Sequence, residues 1–358
     1  MLRLASLLNM QTVRSSDNIQ YREQTLMIRS SRRSFLAVLL ATSALGGALG
    51  LAPVHAAETF PDKPVTIYVG FPPGTSTDTI ARILGEQFSK RWGQPVIVEN
   101  KPGVGGSIAA AQLSRAKPDG YSLILSATAP MSINPYVYAN VGYDPLTSFT
   151  PIGQTTWLPY ALVVRPDFPA KDFQSLIAMA KKDPGKFTYA SIGVGTTSHL
   201  IMAMLEARTG AKFTHVPYKG SAQSQADIIG GNVDMTFDTL VSALPMLTSN
   251  RMRALAVSTA ERTPIAPDIP TLAEQGQTGF NTGAWLGFFA PAGTPAPVVN
   301  RVFTDLQDIM KDEAILKRLS ALGSEVRTSA SPQAFGEMVR ADNAMWGDLV
   351  RANGVKAN

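Results

Sequence analysis

From Phe60 onward the chain alternates strand-like runs with helix-like runs, and that alternation is the feature that most narrows its possible folds. The strand-like runs are "VTIYVGF" (65–71), "VIVEN" (96–100), "YSLILSAT" (121–128), "ALVV" (161–164), "FTYASI" (187–192), "FTHVPY" (213–218), "VDMTFDT" (233–239) and "RALAVS" (253–258). Their near-continuous Val, Ile, Leu and aromatic content suits strands covered on both faces. Between them lie segments such as 79–92, where Ile80, Ile83, Leu84 and Phe88 form one apolar stripe and Gly93 supplies a stop. Repeated strand–helix units predict an α/β fold with parallel sheets. The proline-rich "APAGTPAPVV" (290–299) then opens a helical tail whose apolar stripes predict packing onto the first half of the chain.

Two strand-to-helix turns share one composition. After the first strand comes "PPGTSTD" and a helix; after "FTYASI" comes "GVGTTS" and another. Ligands of open α/β sheets bind where strand carboxyl ends meet helix N-termini, so the two turns predict facing half-sites across a cleft. Neither turn carries a nucleotide. "PPGTSTD" lacks the lysine and the G-K-[ST] ending of a P-loop, and "GVGTTS" ends at Ser198 where a dinucleotide fingerprint needs glycine. No G-x-S-x-G elbow occurs, and Ser198 and His199, adjacent on a helix, diverge by about 100°. His215 lies inside a strand and reads as a packed or rim residue. Anion capture needs only what is present: unpaired N–H groups at a helix N-terminus and small hydroxyl donors. Simple helix capping by Thr75, Ser76, Thr77, Thr196 or Thr197 is the competing reading of each hydroxyl.

Charge and cysteine content set the compartment. The net charge of +5 would suggest a polyanion partner, but residues 1–56 hold six of the arginines, no lysine and only Asp17 and Glu23, leaving 26 basic and 25 acidic residues. No nucleic-acid surface is expected. Residues 27–56 have the layout of an export signal: basic "MIRSSRR", apolar "FLAVLLATSALGGALGL", then "APVHA" with a cut after Ala56. "SRRSFL" resembles a twin-arginine pattern, with the Sec route as the alternative; residues 1–26 fit no part of a signal, and Met27 is a candidate start. The chain has no cysteine, which excludes disulfides, thiolate metal sites and a lipidated anchor.

Seven segments, "FPDKPVTIYVGFPPGTSTDTIAR", "VIVENKPGVGGSIAA", "KPDGYSLIL", "YASIGVGTTSHL", "HVPYKGSAQSQADIIGGNVDMTFD", "IPTLAEQG" and "APAGTPAPVV", together resemble the substrate-binding receptors of tripartite tricarboxylate transporters, the Bug-type proteins. The resemblance runs over residues 58–358. It implies a two-lobed periplasmic-binding-protein fold, type II-like, each lobe a mainly parallel sheet flanked by helices with the ligand cleft between them. Lobe one is expected over 58–160 plus 281–358, lobe two over 161–280. The implied function is capture of a small carboxylate (a di- or tricarboxylic acid, an acidic amino acid or an aromatic acid) for delivery to a membrane permease, by a periplasmic monomer with no cofactor, no metal and no catalytic activity.

The family's first-lobe loop, usually P-G-G-x-x-D, corresponds to Pro73, Gly74, Thr75 and Asp78, with Thr75 where the family usually has glycine. Phe71 and Ser76 flank it. The second-lobe turn, Gly195, Thr196, Thr197 and Ser198, would contact a carboxylate directly. Tyr218 and Gly220 in "PYKG", Asp238 in "TFD", and Ser126 and Ala127 ending "LILSA" complete the expected binding set, with Asp238 open to either ligand contact or internal bonding. Lys101 is a candidate rim cation. A periplasmic enzyme acting on a carboxylate or ester, and a sensory receptor, remain the alternative readings at this level.

Overall fold

A computed structural model describes residues 60–356. The expected export leader, with its twin-arginine-like pattern and expected cut after Ala56, lies outside the described residues. Ten strands form one mixed sheet: β1 (Val65–Val69), β2 (Val96–Asn100), β3 (Ser122–Ala127), β4 (Phe149–Val164), β5 (Thr188–Ser191), β6 (Thr214–Pro217), β7 (Met235–Thr239), β8 (Arg253–Val257), β9 (Gly283–Pro291) and β10 (Glu325–Val326). The helices are α1 (Ser76–Trp92), α2 (Ser107–Leu113), α3 (Asn134–Val137), α4 (Phe173–Lys182), α5 (Thr197–Thr209), α6 (Ser221–Ile229), α7 (Leu240–Thr248), α8 (Ala296–Ile309), α9 (Glu313–Ala321) and α10 (Pro332–Asn353).

The sheet runs in the order β2-β1-β3-β9-β4-β7-β5-β6, with β8 and β10 also paired to β4. The parallel pairing expected from strand–helix alternation holds at both ends, in β2-β1-β3 and β6-β5-β7. The middle is antiparallel, because β9 and β4 run against their neighbours. Strand β4 links the halves: its last pair with β9 is Pro159 with Gly283, and its first pair with β7 is Tyr160 with Thr239.

Two of these central elements escape a reading by composition. Residues 149–160 of β4 hold two prolines, a glycine and three threonines, a mixture that reads as loop. The strand absorbs it through register shifts between Pro151 and Gly153 and between Gln154 and Thr156, where a missing N–H costs no regular ladder bond. Strand β9 is interrupted by glycine, and Gly287 is there for close packing: a Cβ on it would stand 2.2 Å from the ring of Phe335 on α10. Every residue of β9 is buried.

Helix α1 starts at Ser76, three residues earlier than its apolar stripe suggests, and ends in a left-handed Gly93 whose N–H bonds Ser89 O at 3.0 Å. Its Ile80, Ile83, Leu84 and Phe88 are fully or almost fully buried, joining the main core. The tail helices do more than finish the first half. Trp346 and Val350 of α10 share an apolar cluster with Ile133 and Val137 on one side and Leu200 of α5 on the other. Among the described residues no helix is long and apolar enough to cross a membrane.

Candidate functional site

The two turns of like composition adopt like geometry. Gly74 and Gly195 are left-handed at φ 81° and 77°, which a side chain at either would disfavour. The next residues, Thr75 and Thr196, are extended at φ −76°, ψ 163° and φ −77°, ψ 161°. Each threonine turns its hydroxyl back along the chain, Thr75 Oγ1 donating to Pro72 O at 2.8 Å and Thr196 Oγ1 to Gly193 O at 2.6 Å. Neither N-cap side chain bonds an N–H of its helix. The capping reading therefore fails for both turns, and the first-turn N–H groups of α1 and α5 are left for another acceptor.

Both turns are braced at the fourth residue after their glycine. Gly74 N–H donates to Asp78 Oδ2 at 2.8 Å, and Gly195 N–H donates to His199 Nδ1 at 3.2 Å. Asp78 also accepts from Asn100 Nδ2 at 2.9 Å and pairs with Arg82 at 2.8 Å. Burial works against its charge, but Arg82, the Gly74 N–H and Asn100 outweigh it and hold its carboxyl below the usual range.

The turns face each other across a small buried cavity of about 30 Å³, lined by Phe71, Thr75, Ser76, Thr77, Ala127, Ala129, Leu158, Tyr160, Ile192, Thr196, Thr197, Ser221, Asp238, Thr239 and Ala284. Four helices present their N-terminal residues to it: α1 through Ser76 and Thr77, α5 through Thr197, α6 through Ser221, and α7 through its N-cap Thr239. No lysine, arginine or histidine lines it. What it offers an anion is helix-end N–H groups and hydroxyls, beside the one carboxyl of Asp238. Outside it opens a cleft of about 750 Å³ walled by Phe71, Pro72, Gly103–Gly106, Tyr138, Ile192–Val194, Tyr218 and Lys219, among others.

Of the fourteen residues expected at the site, Phe71, Thr75, Ser76, Ala127, Thr196, Thr197 and Asp238 line the cavity, and Tyr218 stands in the outer cleft, its hydroxyl donating to Asp227 at 2.7 Å. Six are placed elsewhere. Gly74 is exposed, Gly195 is taken up by His199, and Asp78 braces the first turn. Ser198 Oγ accepts from Ile192 N–H at 3.2 Å, Ser126 is buried beneath the cavity wall without a side-chain partner, and Gly220 is the N-cap of α6. Lys101 pairs with Glu99 at 2.5 Å and lines neither space.

Residues 80–355 match the tripartite tricarboxylate transporter family receptor profile. The chain belongs to that family. It is similar to the periplasmic binding protein BugD, at 38% identity with a TM-score of 0.79, over 84% of this chain and all of that one. A protein from R. palustris, Rpa4515, solved with adipate, is 34% identical with a TM-score of 0.80, covering 82% of this chain and 98% of its own. MatC from Rhodopseudomonas palustris, with bound malate, is 32% identical with a TM-score of 0.77, covering 81% and 100%. The two-lobed periplasmic-binding-protein fold follows.

In this receptor Asp238 is bonded internally: Oδ1 accepts from Ser221 Oγ at 2.9 Å and from Thr239 N–H at 2.8 Å, and Oδ2 from Gln225 Nε2 at 2.9 Å. Burial pushes its carboxyl up to about 6 against the pull of those three donors. The cavity residues outside the expected set are Thr77, Ala129, Leu158, Tyr160, Ile192, Ser221, Thr239 and Ala284, and among them Leu158, Tyr160 and Ala284 come from β4 and β9. Tyr160, buried in β4, lines the cavity together with Thr197. Only "TFDT" and "KGS" carried a hint, each extending an expected contact by one hydroxyl residue.

The two histidines form no catalytic set with Ser198. His199 is held by Gly195 N–H, and its ring stacks on His215 at 4.2 Å with 6° between planes. His215 Nε2 and Ser191 Oγ lie 2.6 Å apart, but Ser191 is fully buried and lines neither the cavity nor the outer cleft. Among the described residues no cluster of three or more His, Asp or Glu could hold a metal ion.

Proposed function

We propose that the receptor binds a small carboxylate in the periplasm and delivers it to a membrane permease, without turning it over. The single observation that carries this is the convergence of four helix N-termini on one buried, hydroxyl-lined cavity that contains no basic side chain. Each terminus contributes about 0.3–2 kcal/mol toward an anion. A charge-assisted hydrogen bond adds about 1.5–3 kcal/mol. Micromolar affinity requires about 8 kcal/mol, which several such contacts supply together and one terminus does not.

The adipate-bound and malate-bound relatives support a carboxylate as the ligand's anchoring group. The cavity accepts a carboxylate end only once the facing turns separate, and the outer cleft accommodates the remainder of the molecule. The lobes in this reading comprise 58–160 plus 281–358 and 161–280. The change of β4 from β9 to β7 between Pro159 and Tyr160 supports that division. The receptor works as a monomer.

A thermal-unfolding screen against malate, adipate, acidic amino acids, tricarboxylates and aromatic acids tests the reading. A ligand at 100 times its dissociation constant should add about 2.7 kcal/mol of stability. Absence of stabilisation by every member would refute carboxylate binding, and consumption of a bound ligand would refute binding without turnover.

A further inference from the structure

The turn from Ser191 to Ser198 is held at two points, Gly195 and Ser191, by one imidazole each. At the first, His199 Nδ1 accepts the Gly195 N–H at 3.2 Å, which fixes the neutral ring with its proton on Nε2. At the other, His215 Nε2 meets Ser191 Oγ at 2.6 Å; that hydroxyl also accepts from Gly193 N–H at 3.2 Å and donates to Gly193 O at 3.1 Å. The rings lie face to face at 4.2 Å, and Tyr189 of β5 stacks against both, at 4.7 Å from His215 and 6.4 Å from His199. The turn supplies Ile192, between the two anchor points, and Thr196 and Thr197, directly after the second, to the cavity.

We infer that His199 and His215 are positioning residues for the ligand-binding turn, and that a proton on His199 loosens the turn and weakens ligand binding in acid. The inference rests on the reading that this cavity is the carboxylate site. An imidazolium has two N–H donors and no acceptor, so a charged His199 turns an N–H toward the Gly195 N–H and the bond is lost. A charged His215 can only donate to Ser191, which leaves that hydroxyl donating to Gly193 O and accepting from Gly193 N–H, so this anchor holds in either charge state. The stack allows one charge at a time, because two cations would face each other ring to ring. Tyr189, Glu206 of α5, Lys212 and Lys356 line the space beside His199. Glu206 is the one group there that favours a proton on the ring, and the two lysines oppose it. Burial, with the neighbouring His215 as a second cause for His199, holds both rings down at about 4.

Two measurements on the intact receptor test this. In the ligand-free protein, the amide resonances of Gly193 and Gly195 are followed against pH together with the imidazole signals. They should move in step with the rings in the wild type and stay flat in His199→Asn/His215→Gln, whose amides keep the bonding positions without titrating. Calorimetric titration with malate and adipate supplies the second readout. His199→Ala should weaken binding at pH 7.5 and His199→Asn should restore most of that loss. Between pH 6.5 and 4 the wild type should lose up to about twofold more affinity than the double variant, as expected for one site near 4 whose proton opposes binding. Taking the ratio cancels titration of the ligand and of Asp238. Glycine amides that ignore the imidazole titration, or equal affinity losses in both proteins, would overturn the proposal. Coupled amides in a protein that binds no carboxylate would instead refute the functional reading and uphold the positioning of the turn.

Discussion

Ser76 Oγ and Thr239 Oγ1 lie 2.6 Å apart, joining the first residue of α1 to the N-cap of α7 across the cavity. The space around them, about 30 Å³, has room for a water and little more. A carboxylate can enter only after this contact parts. The hydroxyl pair is worth about 1 kcal/mol, or roughly a fivefold bias toward closure. Ser76→Ala should therefore shift the ligand-free protein toward the open form. Small-angle scattering should show a larger radius of gyration than in the wild type.

Thr75 stands where the family usually has glycine, and its backbone explains why a threonine is accommodated. At φ −76° it needs none of glycine's freedom, and its hydroxyl closes the turn onto Pro72 O. Thr75→Gly should lose that bond and gain unfolded-state entropy, for a cost of about 1–2 kcal/mol in urea unfolding. The cavity gains the volume of the side chain in exchange. A ligand too large for the wild type, bound by the variant, would show which residue trims the site.

Asp78 braces the first turn and lines no cavity, so its removal should damage stability before it damages recognition. Asp78→Ala leaves the Gly74 N–H and Asn100 without their acceptor, at about 2–3 kcal/mol at pH 7. Because its folded carboxyl sits below the unfolded value, the wild type's advantage is present above about pH 4 and lost as pH falls below it. Urea midpoints for the two proteins should converge in acid.

His199, His215 and Asp238 pull the stability profile in opposite directions. Both imidazoles are lowered to about 4 in the fold, so unfolded chains, with His near 6.5, bind more protons between those values. Stability contributed by the pair is present above about pH 6.5 and lost on the way down to 4, by about 2 kcal/mol per ring at pH 4.5. Asp238, raised to about 6, does the reverse: the fold binds its proton first, and acidification from about 6 toward 4 favours the native state. Denaturant midpoints should fall from pH 7 to 4.5 in the wild type. In His199→Asn/His215→Gln that fall should vanish or change sign.

Much of the site was legible because it is local. A glycine, a threonine and more hydroxyls between a strand and a helix specify a left-handed residue, an extended one and a helix start, and the two turns obey that within a few degrees at Gly74–Thr75 and Gly195–Thr196. Their roles were less legible. Asp78 and His199 occupy equivalent positions and brace equivalent glycines, yet nothing in the composition of "TSTD" or "TTSH" says that the side chain folds back onto its own turn. Tyr160 and Leu158 were hidden because their strand, "FTPIGQTTWLPYALVV", looks like a loop until β9 and β7 pair with it.

By itself the sequence determined the parallel strand–helix units at both ends of the sheet and the two turns, because each depends on residues a few positions apart. Which helix ends meet was decided only by the tertiary structure. Strand β4 threads both halves of the sheet, bringing Thr239 to Ser76 and Thr197 to Tyr160, contacts between residues far apart in the chain that no local preference encodes. The long-range pairing that makes the cavity also made it unreadable in advance.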